Sequence, residues 1–341
     1  MDKRPTINDV ARLSGVSKRT VSRVINGTGS VGAQTLTKVQ EIIDQLGFSP
    51  DKQARGLAAS RSYLLGLVYD NPNSLYIDQV QRGVVNVSSD KGYELVVHPC
   101  NYNTPEFVEN CLNFVKRSNI DGLILLPPVS ESKTLANALK LNNIHYVSMT
   151  CVKLDDPEHI VVSDDRAAVG ELARYLVSLG HTDIAVISGP NNYYSSVERL
   201  EGFRDTLKHL GIPLPDNRVV TGNNYYESGL RCGRALLSQD KPPAVIFANN
   251  DEMAAGVLKI AYELGIRVPE DLCVAGFDDD LWASRVIPPL TTVRRPVTAM
   301  AKLATKKLLG MIENNPGYDA KEFLVKPSLI VRSSTRKPDL G

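Results

Sequence analysis

The chain has 341 residues, 43% hydrophobic and 23% charged, with 24 glycines and 20 prolines. Domains of about 100–200 residues make two or three of them the expectation, and the composition is that of an ordinary globular chain rather than a disordered or collagen-like one. No apolar run approaches the roughly 20 residues of a membrane helix, and Met1-Asp2-Lys3-Arg4-Pro5 leads into polar sequence with no apolar signal-peptide core. The five cysteines, Cys100, Cys111, Cys151, Cys232 and Cys273, form no C-x-x-C pair. That usage fits reduced thiols of a cytoplasmic protein better than disulfides or a metal site. The net charge of +1 conceals an asymmetry: residues 1–62 hold ten Lys/Arg against five Asp/Glu, and the remaining 279 residues hold 29 against 33. A small basic segment ahead of an acidic body points to a polyanionic partner for the N-terminus.

Thr6 to Leu13 reads as a short helix, with Thr6 as its cap and Asp9 placed three residues on, as in a capping box. Ser14-Gly15-Val16 breaks it, and Ser17 is the N-cap candidate of a second helix running to about Asn26. At about 100° per residue Val21 and Val24 share one face, with Thr20 beside them. Lys18, Arg19, Ser22, Arg23 and Asn26 take the opposite arc, and side chains of these kinds reach guanine, adenine and phosphate oxygens. A third helix carries Leu36, Val39, Ile42, Ile43 and Leu46 as its apolar stripe and stops at Gly47. Two short helices across a tight glycine turn, the second with a polar outer face, form a helix-turn-helix pattern.

Gly27-Thr28-Gly29-Ser30-Val31-Gly32 spells G-x-G-x-x-G, but that motif cradles a dinucleotide only after a strand, and here it follows a helix. It reads as an interhelix loop. No P-loop, G-x-S-x-G or H-E-x-x-H is present, and the five histidines do not cluster with Cys or Asp. Neither an enzyme nor a bound cofactor is expected.

Thr6-Ile7-Asn8-Asp9-Val10-Ala11, Gly15-Val16-Ser17 and Thr20-Val21-Ser22-Arg23-Val24-Ile25-Asn26 together resemble the head of the lactose-repressor (LacI/GalR) family. The resemblance implies a second helix lying in the major groove of a pseudo-palindromic operator in double-stranded DNA. Lys18 and Arg19 stand where the family varies its base-reading residues, and Arg23 and Asn26 fall on its common contacts. Thr6, Ile7, Ser17, Thr20 and Ser22 complete the DNA-binding set that the resemblance carries over. Pro50 to Ser62 is small-residue-rich and basic, and Gly56 weakens it as a helix by about 1 kcal/mol. The resemblance makes residues 51–62 a hinge helix, with Ala54 and Leu57 on DNA and Leu57 as an apolar wedge in the minor groove of a dimer's operator.

From Tyr63 short apolar runs alternate with helical periods. Candidate strands are Leu64–Tyr69, Glu94–His98, Gly122–Leu126, Tyr146–Thr150, Ile160–Val162, Ile184–Gly189, Ala244–Ala248 and Cys273–Phe277. Helices such as Gln79–Lys91, Pro105–Arg117, Arg166–Leu179, Val197–Leu210 and Met253–Leu264 fit between them. This is α/β doubly wound patterning, and a sheet edge near Val162 followed by a fresh series predicts two lobes with a cleft between them. The body also resembles the family, through Asp121-Gly122-Leu123-Ile124, Leu179-Gly180-His181, Arg199-Leu200-Glu201-Gly202-Phe203, Asn249-Asn250-Asp251-Glu252-Met253-Ala254 and Val274-Ala275-Gly276-Phe277-Asp278-Asp279. The implied fold is an all-α helix-turn-helix headpiece (residues 1–50) and a two-lobed periplasmic-binding-protein-like body (63–341) of two doubly wound parallel sheets. Lobe one is 63–163 with 295–323, and lobe two is 164–294 with 324–341; the chain crosses between them near 163, 294 and 324.

The resemblance places a small effector, a sugar or an acidic or phosphorylated derivative, on Arg199, Asn250 and Asp278, with Thr150, Ser195, Asn224, Tyr76 and Arg295 beside them. Arg and Asp at strand ends bind paired hydroxyls, and Asn offers donor and acceptor together. Three departures bear on the ligand. Arg295 replaces the family's usual Gln, which admits an anionic group unless the side chain turns outward. Asp165 stands where Asn is common, and Asn224 where an aromatic often covers the ring. Ala301 replaces a usual small Gly. No leucine heptads precede Gly341, so a homodimer is expected rather than a coiled-coil tetramer. The function implied is an effector-controlled repressor of carbohydrate-utilisation genes. A free-standing sugar-binding protein of a transport system, the alternative, is disfavoured by the basic head and the polar N-terminus.

Overall fold

The computed structural model describes residues 5–26, 29–48, 61–71, 73–315 and 323–337, and the chain divides into two compact units, Met1–Tyr63 and Leu64–Gly341. The first unit holds α1 (Ile7–Ser14), α2 (Lys18–Asn26) and α3 (Ala33–Leu46). The Asp9 carboxylate accepts from the Thr6 N–H at 3.0 Å and from its hydroxyl at 2.7 Å, which fixes the start of α1. Gly15 ends it at φ 69°, a left-handed conformation that strains any residue with a β-carbon. Ser17 Oγ accepts from the Thr20 N–H at 3.1 Å and caps α2. Val10, Ala11, Val21, Val39 and Phe48 form the small core, with Ile42, Ile43, Leu46 and Val24 packed on it.

One member of the expected stripe lies elsewhere. Leu36 is 48% exposed, because 14-residue α3 outruns the helices of 8 and 9 residues it packs on and its first turn is left uncovered.

In the second unit a six-stranded parallel sheet runs β11-β5-β4-β3-β1-β2, from β1 (Leu64–Tyr69), β2 (Glu94–Pro99), β3 (Gly122–Leu125), β4 (His145–Thr150), β5 (Ile160–Ser163) and β11 (Leu324–Val325). Helices α4 (Ser74–Ser88) and α12 (Val297–Glu313) pack together over it, and α5 (Phe107–Ser118) and α6 (Lys133–Leu141) bury Phe107, Cys111, Phe114, Leu135 and Leu139 against strand residues in a common core.

A four-stranded parallel sheet runs β7-β6-β8-β9, from β6 (Ile184–Ser188), β7 (Val219–Thr221), β8 (Val245–Ala248) and β9 (Cys273–Ala275). Two separate cores hold its helices: α7 (Asp165–Ser178) and α8 (Tyr194–His209) in one, α9 (Tyr226–Leu237) and α10 (Asp251–Glu263) in the other. Five-residue α11 (Leu281–Arg285) follows β9, and β10 (Thr292–Arg294) pairs antiparallel with β12 (Ser328–Ile330).

The third crossing therefore lies beyond its expected place. Leu324 and Val325 pair with Val162 and Ser163 of the first sheet, so they belong to lobe one, and the chain passes to lobe two only at Lys326-Pro327. The same pairing covers β5, which is not the sheet edge that the run ending at Val162 implied. A two-residue strand carries no periodicity from which to read it.

Candidate functional site

On α2 the side chains of Lys18, Arg19 and Arg23 are exposed and Ser22 is half-buried, while Val21 on the opposite side is fully buried. Ser17 and Thr20 hydroxyls are 2.9 Å apart, and Thr6 is engaged by Asp9, so these three stiffen the helix starts. Ile7 is half-buried against the head core. The Asn26 side chain, Ala54 and Leu57 lie outside the described residues.

In the body the carboxyl ends of the strands of both sheets deliver polar side chains to one cavity, as parallel sheets do. Asn71, Asn73 and Tyr76 follow β1 and Pro127 follows β3; Tyr193, Ser195 and Arg199 follow β6; Asn224, Asn249–Asn250, Asp278 and Arg295 follow β7, β8, β9 and β10. Of the eight residues expected, seven line it. Thr150 does not; it is buried at the end of β4, its hydroxyl accepting from the Val152 N–H at 3.3 Å. The sequence reading missed Asn71, Asn73, Pro127 and Asn249 as lining residues, although a position just past a strand end was the available signal. Gly189 makes one contact possible, because a β-carbon there would meet Asn249 Nδ2 at 2.5 Å and Asn224 Oδ1 at 2.7 Å, two atoms that hydrogen-bond at 2.8 Å.

The charges in the cavity neutralise one another. Arg199 is 4% exposed; its Nε donates to Asp165 Oδ2 at 2.9 Å, its Nη1 to the Asn249 carbonyl at 2.7 Å, and its guanidinium lies 3.6 Å from the Phe277 ring centroid. Asp278 Oδ1 stands 3.6 Å from Arg199 Nη2 and 3.0 Å from Arg295 Nη2. Arg295 thus turns inward, over the Tyr76 ring at 4.8 Å, and is ion-paired there. Burial works against its charge, but Asp278, Tyr76 and Asp165 outweigh that and raise its pKa above the ordinary arginine value. Behind Asp278, fully buried Asp251 accepts from the Thr292 hydroxyl at 2.6 Å, and burial together with Asp280 and Asp278 raises its pKa well above the usual range. Asp278 and Asp279 sit at φ 104° and 53°, strained positions for non-glycine residues that the surrounding ion pairs hold.

The lobes touch across this cavity. The Tyr193 hydroxyl donates to the Asp70 carbonyl at 3.2 Å, and the Tyr194 N–H to Glu131 Oε2 at 3.2 Å. The cavity is about 50 Å3, far below the roughly 300–1,000 Å3 of pockets that hold drug-sized ligands. A sugar-sized ligand needs more room than this, which a parting of the lobes would supply.

Residues 6–51 match the model of bacterial regulatory proteins of the lacI family, and residues 173–335 that of a periplasmic binding protein-like domain. The ribose operon repressor of Escherichia coli is 33% identical over 96% of this chain and 99% of its own. The chain belongs to the lacI family. Among solved structures, the lac repressor dimer bound to operator and an anti-inducer is 26% identical with a TM-score of 0.80, covering 98% of this chain and 100% of that one. A complex of the transcriptional regulator CelR with cellobiose is 28% identical with a TM-score of 0.71, covering 97% of this chain and 100% of that one. As a lacI-family member the chain is a DNA-binding transcriptional regulator. Among the described residues no helix is long and apolar enough to cross a membrane.

Proposed function

We propose that the protein is a cytoplasmic homodimeric repressor, rather than an enzyme, released from or locked onto a pseudo-palindromic operator by a neutral polyhydroxylated effector. Residues 1–50 read DNA through Lys18, Arg19, Ser22, Arg23 and Asn26, residues 51–62 form the hinge with Ala54 and Leu57, and the body from residue 63 binds effector and partner. The dimer rests on a physical need, since one helix-turn-helix has too small an interface for tight specific binding. The cellobiose complex of a relative supports a sugar in the cleft.

The observation that carries the choice of a neutral ligand is the charge balance of the cavity: Arg199 and Arg295 against Asp165 and Asp278. An anionic effector would leave a net negative buried site, whereas a sugar's hydroxyls fit paired Arg, Asp and Asn groups without a charge left over. The buried Nε of Arg295 has no hydrogen-bond partner among the described residues and is a donor left for a ligand oxygen. Tyr76, Ser195, Asn224 and Asn250 supply the remaining polar contacts.

Thermal-shift screening of the purified protein against neutral sugars, sugar acids and sugar phosphates tests this, because a ligand of the folded state raises its melting temperature with concentration. A concentration-dependent shift with a neutral sugar, lost in Arg199→Lys, is expected. Shifts confined to acids or phosphates would overturn the neutral reading while leaving the regulator intact.

A further inference from the structure

Two buried carboxyls lie outside the cavity lining and touch the opposite lobe, and each keeps one buried oxygen with no partner within hydrogen-bond distance among the described residues. Glu131, in the turn after β3 of lobe one, is 8% exposed; Oε2 accepts from the Tyr194 N–H at the start of 16-residue α8, and Oε1 is buried with no hydrogen-bond partner among the described residues. Asp280, in lobe two, is 7% exposed; Oδ1 accepts from the Trp282 N–H at 2.8 Å, and Oδ2 is buried with no partner within hydrogen-bond distance among the described residues. The Asn73 side chain of lobe one faces Asp280. Glu131 takes its one hydrogen bond from the opposite lobe and Asp280 faces Asn73 of the opposite lobe, so parting the lobes would remove these neighbours and admit water.

We propose that closure of the body is a proton-consuming step, with Glu131 and Asp280 as paired positioning residues that each take up a proton as the seam closes over them. This rests on the opening and closing cleft described above. A carboxylate with a stranded, dry oxygen is costly, and its neutral form much less so. Burial pushes Glu131 up to about 7 against the easing effect of the Tyr194 N–H. Burial, then Asp278, push Asp280 up to about 7, with Glu252 adding to it and the Trp282 N–H and Asn73 easing it. The other titratable groups facing Glu131 are Tyr102, Tyr193 and Cys151, and Asp251 also faces Asp280. Among the described residues neither carboxyl has an ion-pair partner, and no cation is among the leading causes of either shift.

Both groups hold their protons more tightly in the closed body than in the open one, so closure is strengthened as pH falls through 7 and weakened above it. With closed-state values near 7 and ordinary values in the open body, the closed-to-open ratio changes roughly tenfold per carboxyl between pH 8 and pH 6. Together the pair gives about a hundredfold.

The test uses the full-length, effector-free protein, so its failure is separate from any failure to find the effector. Hydrogen exchange of the peptide carrying the Tyr194 amide, corrected for the intrinsic pH dependence of exchange, is followed from pH 8 to pH 6 by mass spectrometry. Emission of Trp282, the chain's single tryptophan, is followed in parallel. The expected result is protection that rises as pH falls, weaker in Glu131→Gln and in Asp280→Asn and absent in the double variant, which keeps the shapes of both side chains. Protection independent of pH in the parent protein overturns the proposal. So does a pH response that survives in the double variant, or one that either single change abolishes alone.

Discussion

The outer face of α2 and the cleft of the body use the same side chains, arginine foremost, in opposite ways. On α2, Arg19 and Arg23 are exposed to solvent. In the cleft, Arg199 is 4% exposed and bonded to a carboxylate, a carbonyl and an aromatic face at once. An exposed cation exchanges water and counterions for phosphate or base, so its contribution falls with salt. A buried, paired cation has already lost its water, and a ligand gains only by replacing or completing bonds that exist without it. Removing the first kind touches binding alone; removing the second kind touches the fold.

Arg199→Ala is the severest way to probe that contrast. It strands Asp165 in the core and leaves Asp278 with Arg295 alone, so chemical denaturation should show a loss of about 3–5 kcal/mol. Pairing Arg199→Met with Asp165→Leu removes both charges and should recover most of that loss while effector binding stays abolished. A double variant as unstable as the single one would mean the arginine's worth lies in packing on Phe277 rather than in charge. Arg23→Ala should leave the melting curve in place and cost about 1–3 kcal/mol of operator binding, with little change on random DNA. Equal losses on both DNAs would reduce Arg23 to a phosphate contact. Gly15→Ala forces a β-carbon into the left-handed turn between α1 and α2 and should destabilise the head by about 1–2 kcal/mol, read by circular dichroism of α-helical signal at the head's own transition. Smallest is Leu36→Gln, which at 48% exposure should change head stability by less than about 0.5 kcal/mol. A larger loss would mean that another surface covers Leu36.

The head was legible because its signals are local. Thr6 with Asp9, Gly15, Ser17 and Gly47 each mark a helix end through contacts within four residues, and the polar arc of α2 follows from helical spacing. The inner strands were legible for a related reason: β3, β6 and β8 are buried throughout and so read as unbroken apolar runs. What escaped was short or non-local. β7, β10, β11 and β12 have two or three residues each, too few for any period. The direction of Arg295 could not be read either, because it depends on Asp278, a partner 17 positions away that its own neighbourhood does not announce.

The three crossings between the lobes have a mechanical consequence. Two of the three strands that carry them, β10 and β12, are zipped antiparallel by Thr292↔Ile330, Val293↔Leu329 and Arg294↔Ser328, and the third passes at Ser163 and Asp164, where the Asp164 N–H donates to the Val325 carbonyl at 2.9 Å. Chain segments bonded side by side act as a flat leaf spring: bending about the line that joins them is soft, whereas twisting or sliding stretches one segment against its neighbour. A clamshell rotation is therefore the soft coordinate of the body, and an effector held between the jaws acts mainly along it.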